Sequence, residues 1–218
     1  MFEIFIEKIK EELGKKLPGN MAHEKMRPYL RLSPSLNVPI SPFAKASAVM
    51  CLLFEKENKV HLILIKRPDY QGVHGGQLAF PGGKPEPFDS NLLATAIRET
   101  YEEIGIEKEK ISTLGQLSNV YVWASNFLVT PFIGFLESKP KYIKNTREVA
   151  EIIEIPISFL LREDIIKEKP MKSKLNNLMN APYFDIDGKE LWGATAMMIN
   201  ELLEIIKRNE ILNKINYR

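Results

Sequence analysis

The sequence predicts an α+β fold, a mixed α/β domain with a strand-rich middle and helices at both ends. Three observations lead there. Short apolar runs bounded by turn residues fill the centre of the chain. One amphipathic helical segment interrupts them between residues 90 and 104. Helical spacing of apolar residues returns near both ends.

The elements follow in chain order. Phe2, Ile6, Ile9 and Leu13 sit at helical spacing, and Gly14 and then Pro18-Gly19 end that helix. Pro28, Pro34, Pro39 and Pro42 keep the next stretch irregular. We therefore divide the chain into residues 1–43, a helix with a proline-rich arm, and residues 44–218, the main domain. The arm is expected to wrap over the body or to contact a partner, and its apolar residues offer contacts for a homodimer. Ser47–Phe54 and Val60–Lys66 are strand-like and joined by a polar link, the pattern of a β-hairpin. A glycine-rich loop over Gly72–Gly76 leads to a short strand, Gln77–Phe80, and then to Pro81-Gly82-Gly83. A helix is expected from Ser90 to Ile104, closed by Gly105 as a left-handed cap. Strands are expected over Ser112–Val122, Leu128–Leu136 and Val149–Ile155, after which Pro156 opens a short helix, Ile157–Leu161. Asp187-Gly188 marks a turn between two strand-like pieces, and a last helix covers Ala194–Asn209.

Composition narrows the function classes. Of 218 residues, 44% are hydrophobic, ample for a packed core, and the formal net charge is +2. That balance gives no support to a broad nucleic-acid surface and rules out neither nucleotide binding nor a protein partner. The single cysteine, Cys51, lies in the apolar run 48–53 and reads as a small core residue. It has no partner for an intrachain disulfide, and a reducing cytoplasm is the expected location. No apolar run approaches the ~18–20 residues of a membrane span, and Glu and Lys interrupt the first sixteen residues where a signal peptide would be apolar. No membrane partner is expected.

The chemistry points to the helix over 90–104. At ~100° per residue, Leu93, Ala96, Ile97, Thr100 and Ile104 share the side that packs on the sheet. Glu99, Glu102 and Glu103 fall in an arc beside it. Glu99 and Glu103 are i,i+4 neighbours, a spacing at which like charges cost a few tenths of a kcal/mol. Only Arg98 with Glu102 offers an offsetting pair. Taken alone, such acids are more often a solvated helix face. Here Phe80-Pro81-Gly82-Gly83 brings bare backbone up to the helix, where N–H and C=O groups can meet phosphate or metal. A divalent cation would relieve the repulsion. Three carboxylates without a Cys/His cluster suit Mg²⁺ or Mn²⁺.

These residues resemble a known family. Gly82-Gly83, then Glu86 and Asp89, then Arg98-Glu99-Thr100-Tyr101-Glu102-Glu103-Ile104-Gly105-Ile106 are similar to the Nudix box, G-x5-E-x7-R-E-U-x-E-E-x-G-U with U aliphatic. Thr100 replaces an aliphatic residue. Asp89 stands at the position of the first glutamate, and the spacing to Arg98 is one residue longer than the pattern. A longer loop of this kind resembles the coenzyme A pyrophosphatase branch. So does the approach to it, Ile63-Leu64-Ile65-Lys66-Arg67-Pro68, Gly72 and Gly76-Gln77-Leu78-Ala79-Phe80-Pro81-Gly82-Gly83, set against L-L-T-x-R-S-x3-R-x3-G-x-V-x-F-P-G-G. Pro68 replaces the Ser and Gly72 the second Arg of that signature. Glu148-Val149-Ala150-Glu151 and Trp192-Gly193-Ala194-Thr195-Ala196 also resemble this branch, so the likeness covers about residues 44–205.

The resemblance implies a Nudix-like α/β/α sandwich around a central mixed sheet. It implies hydrolysis of the pyrophosphate bond of a nucleoside diphosphate derivative, coenzyme A first among them. Glu99 and Glu103 would hold Mg²⁺ or Mn²⁺, with Glu102 as a further ligand and the Gly83 carbonyl completing the site. Arg98 would orient a glutamate through a bidentate bond. Arg67, Gly82 and Gly83 would face the substrate phosphates, and His74 could line the cleft. The base is a box glutamate or an acid from a later loop, with Glu148 the candidate there. Trp123 and Trp192 could stack an adenine, although core or dimer packing suits each better. Two other readings stay open. One is a Nudix hydrolase for ADP-ribose, NADH, a dinucleoside polyphosphate or a nucleoside triphosphate, which Gly72 favours. The other is a non-catalytic nucleotide-binding domain.

Overall fold

Val49, Cys51 and Leu53 face one side of a strand and Ala48, Met50, Leu52 and Phe54 the other, and this alternation sets the architecture. The computed structural model describes residues 2–30, 39–69, 75–172 and 178–208. Helices α1 (Phe2–Leu13) and α2 (Asn20–Glu24) precede a two-residue strand, β1 (Tyr29–Leu30). Then come β2 (Lys45–Lys56), β3 (Lys59–Lys66), β4 (Leu78–Ala79) and β5 (Gly82–Gly83). Helix α3 (Leu92–Ile104) leads through one 3₁₀ turn to β6 (Ser112–Gln116), β7 (Val120–Val122), β8 (Phe127–Leu136) and β9 (Glu151–Pro156). The last elements are α4 (Ile157–Leu160), β10 (Ile166–Lys172), β11 (Leu178–Ile186), β12 (Lys189–Trp192) and α5 (Gly193–Arg208).

The main sheet runs β4-β3-β2-β8-β6, with β5 on β2, β7 on β8 and β9 on β3. Strands β2 and β8 are parallel and the other described pairings antiparallel, so the sheet is mixed. Helix α3 covers one face, with Ala96 and Ile104 against Met50, Leu52, Ile63 and Ile65. Helices α1 and α5 cover the other, where Phe5, Ile9, Ile199 and Leu202 join Cys51, Leu53, Leu62 and Leu64. This is the α/β/α sandwich that the box implied. A smaller sheet, β1-β11-β10 with β12 on β11, lies beside it.

Several elements differ from the sequence expectation. The hairpin link shrinks to Glu57-Asn58, both at positive φ, because Lys56 still pairs with Lys59. The single strand expected over 112–122 divides into β6 and β7, and Ser118 in the break turns its hydroxyl to α5. Strands β1 and β10 and helix α2 were not anticipated. Pro170 and the lysines of β10 give no apolar alternation, yet the strand pairs with β11 through its backbone along its whole length. Helix α3 starts two residues later than expected, capped by Asn91, whose side chain accepts from Ala94 N at 2.9 Å. The final helix is described to Arg208; Asn209 lies outside the described residues.

The N-terminal segment is tied to the body by a buried carboxylate. Glu201 of α5 is fully buried and accepts from Gly19 N (2.8 Å), Ser118 N (3.0 Å) and Ser118 Oγ (2.7 Å), with His23 Nε2 at 3.0 Å. Burial opposes its charge, but these partners prevail and hold the carboxyl below its ordinary value. Phe2, Phe5, Ile6 and Ile9, the apolar face of α1, are buried within the chain itself. Among the described residues no helix is long and apolar enough to cross a membrane.

Candidate active site

Strand β5 is only two glycines long, and its backbone makes the site. Gly83 pairs with Ala48 and Gly82 with Val49 of β2. A Cβ on Gly82 would lie 2.3 Å from the Ala48 carbonyl oxygen and 2.6 Å from Val49 Cα, so the strand can seat itself here only as glycine. A Cβ on Gly83 would lie 2.3 Å from Glu99 Oε1. The missing methyl is the space the Glu99 carboxylate occupies.

Helix α3 delivers its acids to different environments. Glu103 is 2% exposed, and its Oε2 accepts from Gly82 N at 2.9 Å. Burial pushes its carboxyl up to about 8; the Arg67 charge and the Gly82 N–H oppose the rise, and Glu99 and Glu148 add to it. Glu99 is half-buried and also raised, again by burial first, against the pull of Arg98. Glu102 faces solvent and accepts from Arg98 Nη1 at 2.9 Å. The third acid beside Glu99 and Glu103 is Glu148, from the loop before β9. Carboxylate oxygens of Glu99, Glu103 and Glu148 all lie within 4.8 Å of one another. This is the described group able to hold a cation, and Glu102 stands outside it. Three hard oxygen donors, one of them buried at a cost to its charge, fit Mg²⁺ or Mn²⁺.

Arg98 holds this arrangement from behind. Its Nε and Nη2 grip Asp89 Oδ1 and Oδ2, each at 3.0 Å; Nη1 reaches Glu99 Oε1 at 3.1 Å, and Nη2 also donates to the Lys84 carbonyl at 2.9 Å. The bidentate partner is thus Asp89, and the bond to a glutamate is single, a correction to the sequence expectation. The Arg98 guanidinium holds the Asp89 carboxyl down at about 2. The couple Glu99–Glu103 is not unpaired either, since Arg98 serves one acid and Gly82 N–H the other. Arg67 is half-buried with Nη2 3.4 Å from the Gly82 carbonyl, too long for a strong bond, leaving its charge facing Glu103. The Gly83 carbonyl accepts from Ser47 Oγ at 2.8 Å.

The glycine strand, the helix acids and the arginine clasp also coincide with a family match: residues 44–179 match the NUDIX domain. The chain belongs to the Nudix family. It is accordingly a Nudix hydrolase, the name its relatives carry. It is 35% identical over 144 residues to a Nudix hydrolase NudL of Yersinia enterocolitica serotype O:8, covering 66% of this chain and 72% of that protein. It is 33% identical over 149 residues to a NudL of Photorhabdus laumondii, covering 68% and 79%. Solved structures share the Nudix fold at low identity. RenU, a Nudix hydrolase from M. smegmatis, superposes with a TM-score of 0.54 at 15% identity, covering 76% of this chain and 87% of that one. The MutT protein from Methanosarcina mazei Go1 gives 0.50 at 19% identity, covering 81% and 99%.

Sequence reasoning named the helix acids but assigned no role to two of their neighbours. Asp89 had a signal, since it stands at the first acid of the box. Ser47 had none, because a serine on a strand shows its partner only once β5 is laid beside β2. Trp123 is exposed, and Trp192 is half-buried with Lys169 Nζ 5.1 Å from its ring centroid. Gly72 and His74 lie outside the described residues.

Proposed function

We propose that this chain is a divalent-metal-dependent hydrolase whose substrate is coenzyme A, split at its pyrophosphate bond into adenosine 3′,5′-bisphosphate and 4′-phosphopantetheine. The observation that carries the metal-dependent reaction is the convergence of Glu99, Glu103 and Glu148 beside the bare backbone of Gly82 and Gly83. The coenzyme A assignment rests on the Phe80-Pro81-Gly82-Gly83 approach and the one-residue-longer loop from Asp89 to Arg98.

In this reading Glu99, Glu103 and Glu148 hold Mg²⁺ or Mn²⁺. An ion held there would supply charge to neutralise the two phosphates and to lower the pKa of water. Arg98 keeps Glu99 in place while Asp89 keeps Arg98 in place, so the ligand geometry is fixed before substrate arrives. Glu102 supports the same clasp from the solvent side. Gly82 N–H fixes the Glu103 oxygen, and Arg67 faces a substrate phosphate across it. Exposed Glu148, reached from a separate loop, accepts the proton of the attacking water. Gly72, in place of the branch's second arginine, supports a second reading in which another nucleotide such as ADP-ribose is preferred.

The test is a panel of coenzyme A, ADP-ribose, NADH, a dinucleoside polyphosphate and nucleoside triphosphates, incubated with Mg²⁺ or Mn²⁺ and read by mass spectrometry. Coenzyme A is expected to give the two named products. Turnover of other compounds but not coenzyme A would refute the substrate, and no turnover at all would refute the reaction. Full activity in Glu103→Gln would refute the metal site.

A further inference from the structure

The acids of the site are flanked by two lysines that the reaction above does not use. Lys84 follows Gly83 directly, and Gly83 lies against the Glu99 carboxylate. Its Cα is therefore about 3.8 Å further along the chain from that contact. Its carbonyl is fixed by Arg98 Nη2 at 2.9 Å, which anchors the residue to the same clasp that holds Glu99. Its side chain is exposed, with Nζ 5.5 Å from the centroid of the Phe127 ring. Lys45, also exposed, stands opposite Phe127 in the parallel register of β2 and β8. Neither lysine makes an ion pair among the described residues, whereas Lys56, Lys167 and Lys169 each do.

We propose that Lys84, with Lys45 beside it on the Phe127 side of β5, binds a phosphate that the substrate carries in addition to the pyrophosphate that is cut. The inference rests on the site being a nucleotide pyrophosphohydrolase. Glu99, Glu103 and Glu148 with their cation take the scissile link. A phosphate placed one residue beyond Gly83 meets a cation that is already positioned and has no carboxylate to give up. Its binding therefore breaks no existing ion pair. The extra phosphate is either on the ribose or further along the phosphate chain, and both present the same dianion to Lys84.

Binding separates the sources without requiring turnover. The full chain, with Mg²⁺ present, is titrated calorimetrically with AMP, ADP, ATP and adenosine 3′,5′-bisphosphate. The ribose source predicts that the 3′,5′-bisphosphate binds roughly tenfold tighter than AMP, the size of one charge-assisted hydrogen bond. The chain source predicts that advantage for ATP over ADP. In either case Lys84→Met brings the ratio to about one, Lys84→Arg keeps it, and Lys45→Met reduces it. An advantage unchanged in Lys84→Met, or no advantage in the wild type, overturns the proposal. Failure to hydrolyse coenzyme A would sink the proposed substrate while leaving a Lys84-dependent phosphate preference standing, so the two failures are distinguishable.

Discussion

Replacing Glu103 by glutamine should remove two opposing stability effects at once. The wild-type carboxyl is 2% exposed and its pKa is raised from 4.5 to about 8, chiefly by burial. The folded chain therefore keeps a proton that the unfolded chain gives up. Stability from this group is fully present below about 4.5, falls as pH rises and is gone above about 8. Between pH 6 and pH 8 the metal-free protein should lose about 2–3 kcal/mol through this residue, roughly 5–10 °C in Tm for a chain of this size. Glutamine has nearly the same shape and keeps an oxygen for Gly82 N–H, but cannot ionise. Glu103→Gln should therefore remove that part of the pH slope and match or exceed the wild-type Tm at pH 8 in a chelator. Bound cation should act in the opposite direction. At a hundred times its Kd, a metal that binds only the folded state stabilises by ~2.7 kcal/mol, and the wild type should gain this most strongly above pH 8, where no proton has to leave. Glu103→Gln should gain little. The assay is thermal unfolding at pH 6, 7, 8 and 9, with EDTA and with Mg²⁺ or Mn²⁺. A glutamine variant that melts well below wild type at pH 8 in EDTA, or that is stabilised by metal as strongly as wild type, would refute the reasoning.

The two glycines of β5 should fail differently. Gly83→Ala puts a methyl 2.3 Å from Glu99 Oε1, where only a movable carboxylate has to give way; the chain should fold with near-normal Tm while metal-dependent turnover falls by ~10²-fold, as expected for an ~1 Å misplacement. Gly82→Ala meets the backbone of Ala48 and Val49, which cannot move aside, and should lower the yield of folded protein, measured by melting and solubility. Asp89→Asn removes the acceptor that fixes two nitrogens of Arg98, and should cost about 1–3 kcal/mol in stability and reduce kcat more than it raises KM. Because the Asp89 carboxyl is depressed to about 2, its contribution is complete above about 4 and lost as pH falls toward 2, so wild type and Asp89→Asn should converge in acid unfolding titrations.

The parts of the fold legible in the sequence are those where one strand or helix carries its own pattern. Residues 48–54 and 60–66 are apolar on both faces because helices cover both sides of β2 and β3, and that continuous apolarity marks a buried strand wherever it occurs. Gly105 closes α3 through local chemistry as a left-handed residue, whereas the Asn91 side-chain cap starts it two residues after the expected Ser90. Strand β10 was illegible for the converse reason. Its lysines and Pro170 carry no burial pattern, and β11 recruits it through backbone hydrogen bonds that any sequence can offer. The break between β6 and β7 is likewise set by a distant residue, Glu201, whose carboxylate draws Ser118 out of line.

The site divides along the same boundary. The sequence by itself determined that Arg98, Glu99, Glu102 and Glu103 share a helix, that Glu99 and Glu103 lie one turn apart, and that bare glycine backbone precedes them. Helical periodicity is local, so those relations need no fold. Only the tertiary structure decided which carboxylates meet. It turned Glu102 outward to Arg98, brought in Glu148 from another loop, and gave Arg98 the support of Asp89. Burial did the rest. The depth at which β5 and β2 bury each acid separates a carboxyl raised to about 8 on Glu103 from an exposed one on Glu102, although the two are neighbours in the chain.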